Sequence, residues 1–79
     1  MSYPIHDLEA QVRRSLPAKQ SISISGITNP IGFDIYDVFG RIQRHGIIEN
    51  SETQISLSGL RSGIYFLRID MQTIPFKMQ

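Results

Sequence analysis

From Ser21 onward, apolar and polar residues alternate in short runs, and each run stops at a glycine, a proline or a polar cluster. A period of two puts successive side chains on opposite faces of an extended chain, so the pattern demands sheets with one buried face. In Ser21-Ile22-Ser23-Ile24-Ser25 the isoleucines share a face and the serines meet water; Gly26 and Asn29-Pro30 then break the run. Phe33 to Tyr36 alternates again, and Gly40 suits a tight turn with positive φ. Arg41 to Ile48 reads as the returning strand, and Glu49 to Glu52 as a polar loop. Gln54 to Ser58 alternates with Ile55 and Leu57 inward. Gly63 opens Ile64 to Ile69, apolar on both faces until Arg68, as expected of a strand buried mid-sandwich. Asp70 to Thr73 makes a turn. Ile74, Phe76 and Met78 then share a face opposite Lys77, and Pro75 removes a backbone donor, which places this last strand at a sheet edge. Together these predict an all-β fold, a small antiparallel β-sandwich of about seven short strands.

The first twenty residues admit two readings. Asp7 as N-cap, Glu9-Ala10-Gln11, Arg13-Arg14 and a stop at Pro17 would suit a short helix with Leu8, Val12 and Leu16 as its stripe. An internal similarity favours strands for Ile5 to Ser15. Ile5 to Arg14 aligns without gaps on Ile35 to Arg44, and Ile22 to Ile27 aligns on Ile55 to Leu60, at offsets of about 30 and 33 residues. In this worn copy Ala10 and Gln11 stand where Gly40 and Arg41 stand in the second. The expected division is therefore an N-terminal extension or worn first repeat over residues 1–20 and a β-sandwich over 21–79.

Composition narrows the function. At 79 residues the chain is one small domain, with 41% hydrophobic and 19% charged residues, too apolar for disorder. A net charge of +1 gives no reason to expect nucleic acid or an anionic membrane. The absence of cysteine excludes disulfides and thiolate metal sites. No apolar run approaches the roughly 18 residues of a membrane span. Asp7, Glu9, Arg13 and Arg14 interrupt any signal-peptide core, so an exported form needs its signal on a longer precursor.

Catalysis finds no foothold. His6 and His45 are isolated and read as solvated surface groups. Asp34, Asp37 and Asp70 lack the regular ligand spacing of a calcium loop. Ser23, Ser56 and Ser58 are the water-facing side of strands, without a nucleophile elbow. Gly59 and Gly63 flank turns and do not open a phosphate-binding helix. Arg13-Arg14 is too short for a nucleic-acid patch. Tyr3, Tyr36, Tyr65 and the phenylalanines are better used in packing than as a stacking platform. No cofactor, metal or small-molecule substrate is expected.

Three elements in order carry a resemblance. Tyr36-Asp37 precedes the turn at Gly40-Arg41; a short strand ends at Leu60 before the Gly63-x-Tyr65 strand; and an alternating strand carries Lys77 two positions before the last residue. In this layout the chain resembles the type A C-terminal sorting domain of the type IX (Por) secretion system of Bacteroidetes, an Ig-like tail, over roughly Ser21 to Gln79. The resemblance implies a non-catalytic sorting signal on a longer precursor. That signal would be recognised by an outer-membrane translocon after passage through the periplasm. A surface sorting protease would then remove it, leaving the cargo secreted or on the cell surface. Tyr36, Asp37, Gly40, Arg41, Leu60, Gly63, Tyr65 and Lys77 would build the recognised fold.

Two departures stand beside the resemblance. The usual Asn-Pro-rich lead-in is replaced by Leu16-Pro17-Ala18-Lys19, with Asn29-Pro30 inside the domain instead, and Met1 to Gln20 has no counterpart. FlgD-like and other Ig-like accessory modules share both turn elements and act as structural or adhesion modules, but such a spacer would usually continue into another domain. The exposed edges and modest core also allow a homodimer or strand swap in isolation.

Overall fold

The computed structural model describes residues 8–15, 21–27, 29–49 and 52–78. Among them are one helix, α1 (Leu8–Ser15), and six strands: β1 (Ser21–Ser25), β2 (Ile31–Asp37), β3 (Ile42–Ile48), β4 (Glu52–Ser56), β5 (Gly63–Ile69) and β6 (Gln72–Met78). The proposed cap Asp7, stop Pro17 and stripe residue Leu16 lie outside the described residues, as do Tyr3, His6 and the Asn50-Ser51 part of the polar loop.

The strands form two antiparallel sheets. One pairs β1 with β4, and the other has the order β3-β2-β5-β6. Ile22 and Ile24 of β1 are fully buried between half-buried Ser21 and exposed Ser23 and Ser25, as alternation requires. They meet Ile35 of β2, Ile48 of β3, Ile55 of β4 and Tyr65, Leu67 and Ile69 of β5 in one core. Burying each of these large side chains contributes roughly 1.5–3 kcal/mol. The two segments similar in sequence, Ile22 to Ile27 and Ile55 to Leu60, overlap the paired strands only in part. β1 takes Ile22 to Ser25, but β4 begins at Glu52, inside the expected polar loop, and ends at Ser56, so Leu57 to Leu60 lie beyond it. Ile22 stands opposite Ile55. β6 is an edge strand whose Pro75 sits opposite Phe66, and Phe76 and Met78 face the core.

Three expectations are corrected. The strand reading of Ile5 to Ser15 gives way to α1 over its described part, so the worn repeat of a hairpin is absent there. Leu8 and Val12, one turn apart, are each 1% exposed and join the same core. Such a buried apolar stripe outweighs the weak local resemblance to a strand. Gln11 shares the stripe: its Oε1 accepts from the Ser25 backbone N–H at 2.6 Å and its Nε2 donates to the Ser25 carbonyl at 3.2 Å, tying α1 to the end of β1. On the other face Arg13 pairs with Glu9, and these charges complement the helix dipole.

The second correction concerns β5. It lies between β2 and β6, but only its Tyr65, Leu67 and Ile69 face is buried; Ile64 is 43% exposed and Arg68 is exposed, because no second layer of described residues covers that side. Third, the turn after β5 is shorter than expected. Ile69 pairs with Gln72, leaving Asp70 and Met71 as a two-residue connection, with Asp70 at φ 55° and Thr73 already in β6. A short carboxylate is among the side chains that tolerate that backbone region.

Candidate functional site

Asp37 ends β2, and its carboxylate organises the following turn. Oδ1 accepts from the backbone N–H of Phe39 at 2.9 Å and of Arg41 at 3.0 Å. Oδ2 accepts from Arg41 Nε at 2.9 Å and Gln43 Nε2 at 3.0 Å. The backbone closes the same loop, Gly40 N–H donating to the Asp37 carbonyl at 3.0 Å and Asp37 N–H to the Arg41 carbonyl at 2.9 Å. Gly40 has φ +81°, which a side chain there would strain. Gln43 reaches Asp37 because of a bulge in the β2–β3 pairing: Ile35 faces Arg44 and Tyr36 faces Ile42, leaving Gln43 as the extra residue. Burial alone would raise the Asp37 carboxyl pKa, but the Arg41 backbone and guanidinium, the Phe39 N–H and the Arg41 charge outweigh it, so the group titrates below the usual aspartate range. The turn carries Val38 and Phe39 outward, Phe39 being 79% exposed with the Arg41 guanidinium 5.2 Å from its ring centre.

The second motif has its own internal lock. The Tyr65 hydroxyl donates to the Arg61 carbonyl at 2.8 Å, four residues back along the chain. A tyrosine bonding upstream from the start of a strand is the corner device of Ig-type sandwiches. Gly63, at φ +150°, lets the chain turn between the two partners. Beneath the hydroxyl the ring stacks on Phe76 of β6, centroids 5.9 Å apart.

Pairing of β2 with β5 brings the two motifs together, Asp37 lying opposite Tyr65. Asp37, Arg41, Leu60 and Tyr65 line one open cleft of about 550 Å³, together with Ile42, Gln43, Arg44, Gly59 and Arg61. Arg44 crosses it from β3: its guanidinium donates to the Ser58 carbonyl beyond β4 and, at 2.8 Å, to its own neighbour's carbonyl at Gln43. The other two motif side chains lie elsewhere. Tyr36 is on the outer face of the four-stranded sheet, under the Arg68 guanidinium at 5.2 Å, and exposed Lys77 sits opposite Ile64 on that same face. The strand pattern could not assign Gln43, Arg44 and Arg61 to the cleft, because the bulge and the Ser58 contact are tertiary.

The remaining candidates are dispersed. Asp34 and Asp70 border a shallow depression with His45 and Arg68, away from Asp37, and Arg68 pairs with Asp34 at 3.0 Å. Among the described residues no three His, Asp or Glu side chains come together as a metal site. Ser23, Ser56 and Ser58 are exposed, the first two on β1 and β4 and Ser58 in the turn beyond.

An antiparallel all-β fold with a caged Tyr-Asp-x-x-Gly-Arg turn and a Gly-x-Tyr corner is thus the architecture the sequence motifs describe. The family model of secretion system C-terminal sorting domains matches residues 16–77, and the chain belongs to that family. Such domains are C-terminal sorting signals of type IX secretion, recognised by its machinery, on cargo exported to the cell surface or medium. No curated protein and no solved structure gives a significant match.

Proposed function

We propose that this domain is read by the outer-membrane translocon as a folded, non-catalytic tail and is removed by a sorting protease after its cargo has crossed. The observation that carries this reading is the family match over residues 16–77. The architecture is compatible with recognition without turnover. β6 is an edge strand, and an edge offers unpaired backbone N–H and C=O groups to which a partner strand can add. The recognised surface in this reading is β6 with Gly63 to Tyr65 behind it, since Gly63 pairs with Met78 and Ile64 with Lys77. Asp37, Gly40, Arg41 and Leu60 act by holding the two turns in place, and Tyr36 acts by packing on the outer face of the sheet under Arg68.

Deleting residues 71–79 from a cargo should abolish export while the cargo itself still accumulates. Because that deletion also strips Phe76 and Met78 from the core, Lys77→Glu is the companion variant: Lys77 is exposed, so the fold should survive while export falls. Normal export from both variants would overturn β6 as the recognised strand.

A further inference from the structure

The cleft between the two turns holds more positive charge than its fold uses. Three guanidiniums, from Arg41, Arg44 and Arg61, share it with one carboxylate, Asp37. Asp37 engages Arg41 only through Nε, so the Nη donors of Arg41, whose side chain is 69% exposed, have no acceptor among the described residues. Arg44 bonds to two backbone carbonyls, which fix its position without neutralising its charge. Arg61 is exposed and its guanidinium has no partner among the described residues; only its carbonyl is engaged, by Tyr65.

We propose that this cleft is a binding site for acidic peptide segments, with side-chain carboxylates of the ligand seated on the guanidiniums of Arg41 and Arg61. The planar guanidinium fork matches a carboxylate bidentately, and Arg41 is already held in place by Asp37, so less side-chain freedom is lost at that half of the site on binding. A peptide fits better than a lone anion because the cleft is far larger than one carboxylate and its mainly polar lining includes apolar surface beside the arginines. Leu60 and Tyr65 line it, and half-buried Leu60 offers contact to an apolar neighbour of the acidic residue. Beside the cleft the centre of the exposed Phe39 ring lies 5.2 Å from the Arg41 guanidinium, apolar surface next to one of the two carboxylate seats. This inference stands on the cleft's own chemistry and holds whether or not the domain sorts cargo.

The test is a titration of the isotopically labelled 79-residue chain with the end-blocked peptide Leu-Glu-Leu-Glu-Leu, followed by NMR, with the Gln-for-Glu peptide and inorganic phosphate as separate arms. Shifts should concentrate on Arg41, Leu60 and Arg61 and on the arginine Nε signals. Affinity should fall as salt rises from about 0.01 to about 0.15 M, where the screening length drops from about 30 to about 8 Å. Arg61→Glu should weaken binding about tenfold or more, and Arg61→Gln by less, each with an unchanged melting temperature. Equal binding of the Gln peptide, equal shifts with phosphate, shifts mapping away from the cleft, or no shifts at all would each overturn the proposal.

Discussion

The Asp37 carboxylate holds Arg41 twice, by the backbone N–H at 3.0 Å and by Nε at 2.9 Å, so one side chain fixes both the path of the turn and the direction of the arginine. Asp37→Asn keeps the shape but replaces one acceptor oxygen with an amide donor that faces Arg41 and Gln43. The variant should melt at a lower temperature than the wild type at neutral pH. The sign with pH follows from the lowered pKa: the folded carboxyl titrates below its unfolded value near 3.8. Its contribution is therefore complete above that value and is lost as pH falls through the folded pKa. Thermal melts of the two proteins should differ by a constant amount around neutrality and converge below about pH 4. A difference that persists unchanged at pH 2 would contradict the cage.

Gly40 has no neighbour within 4 Å of where a Cβ would lie, so space is not its constraint; its φ of +81° is. Gly40→Ala should cost about 1–2 kcal/mol, and Gly40→Asn distinctly less, because asparagine tolerates the left-handed region. Denaturant unfolding that ranks alanine and asparagine equally would show that the turn relaxes.

Removing only the corner hydroxyl, Tyr65→Phe, deletes the bond to the Arg61 carbonyl and leaves the Phe76 stack. The loss should be about 0.5–1.5 kcal/mol, and each kcal/mol lowers the melting temperature of a domain this size by roughly 4–8 °C. Calorimetry on the two proteins measures it directly.

Residues 1–20 should not be dispensable for stability. Leu8 and Val12 are each 1% exposed in the shared core, and Gln11 is bonded to the end of β1. A chain begun at Ser21 should lose about 3 kcal/mol or more, as should the double variant Leu8→Ala, Val12→Ala. Equal stability of the 1–79 and 21–79 chains would mean that α1 is a passive attachment.

Much of this was legible in the pattern of residues, and the parts that were not share a cause. β1 runs from Ser21 to Ser25 as the strict alternation requires, and Pro75 on an edge strand follows from its missing N–H. Gly40 and Gly63 could be singled out because turn geometry restricts which residues serve, whereas Asp37 and Tyr65 stood out only through the family resemblance. α1 was misread because the sequence stripe of Leu8, Val12 and Leu16 is only three side chains long, too short for periodicity to outvote a chance likeness to Ile35–Arg44. The outer face of β5 was misread because Ile64 is apolar yet exposed and Phe66 only half-buried, and no local signal reports a missing layer. Gln43 was invisible because a bulge changes which residues face each other.

The most direct test of the sorting account is a fusion of the whole 79-residue chain behind a signal peptide and a fluorescent reporter, expressed in a Bacteroidetes host with and without a working type IX translocon. The account predicts reporter at the surface or in the medium only when the translocon works, with periplasmic retention in its absence. Retention in both strains would contradict it and leave an Ig-like structural module.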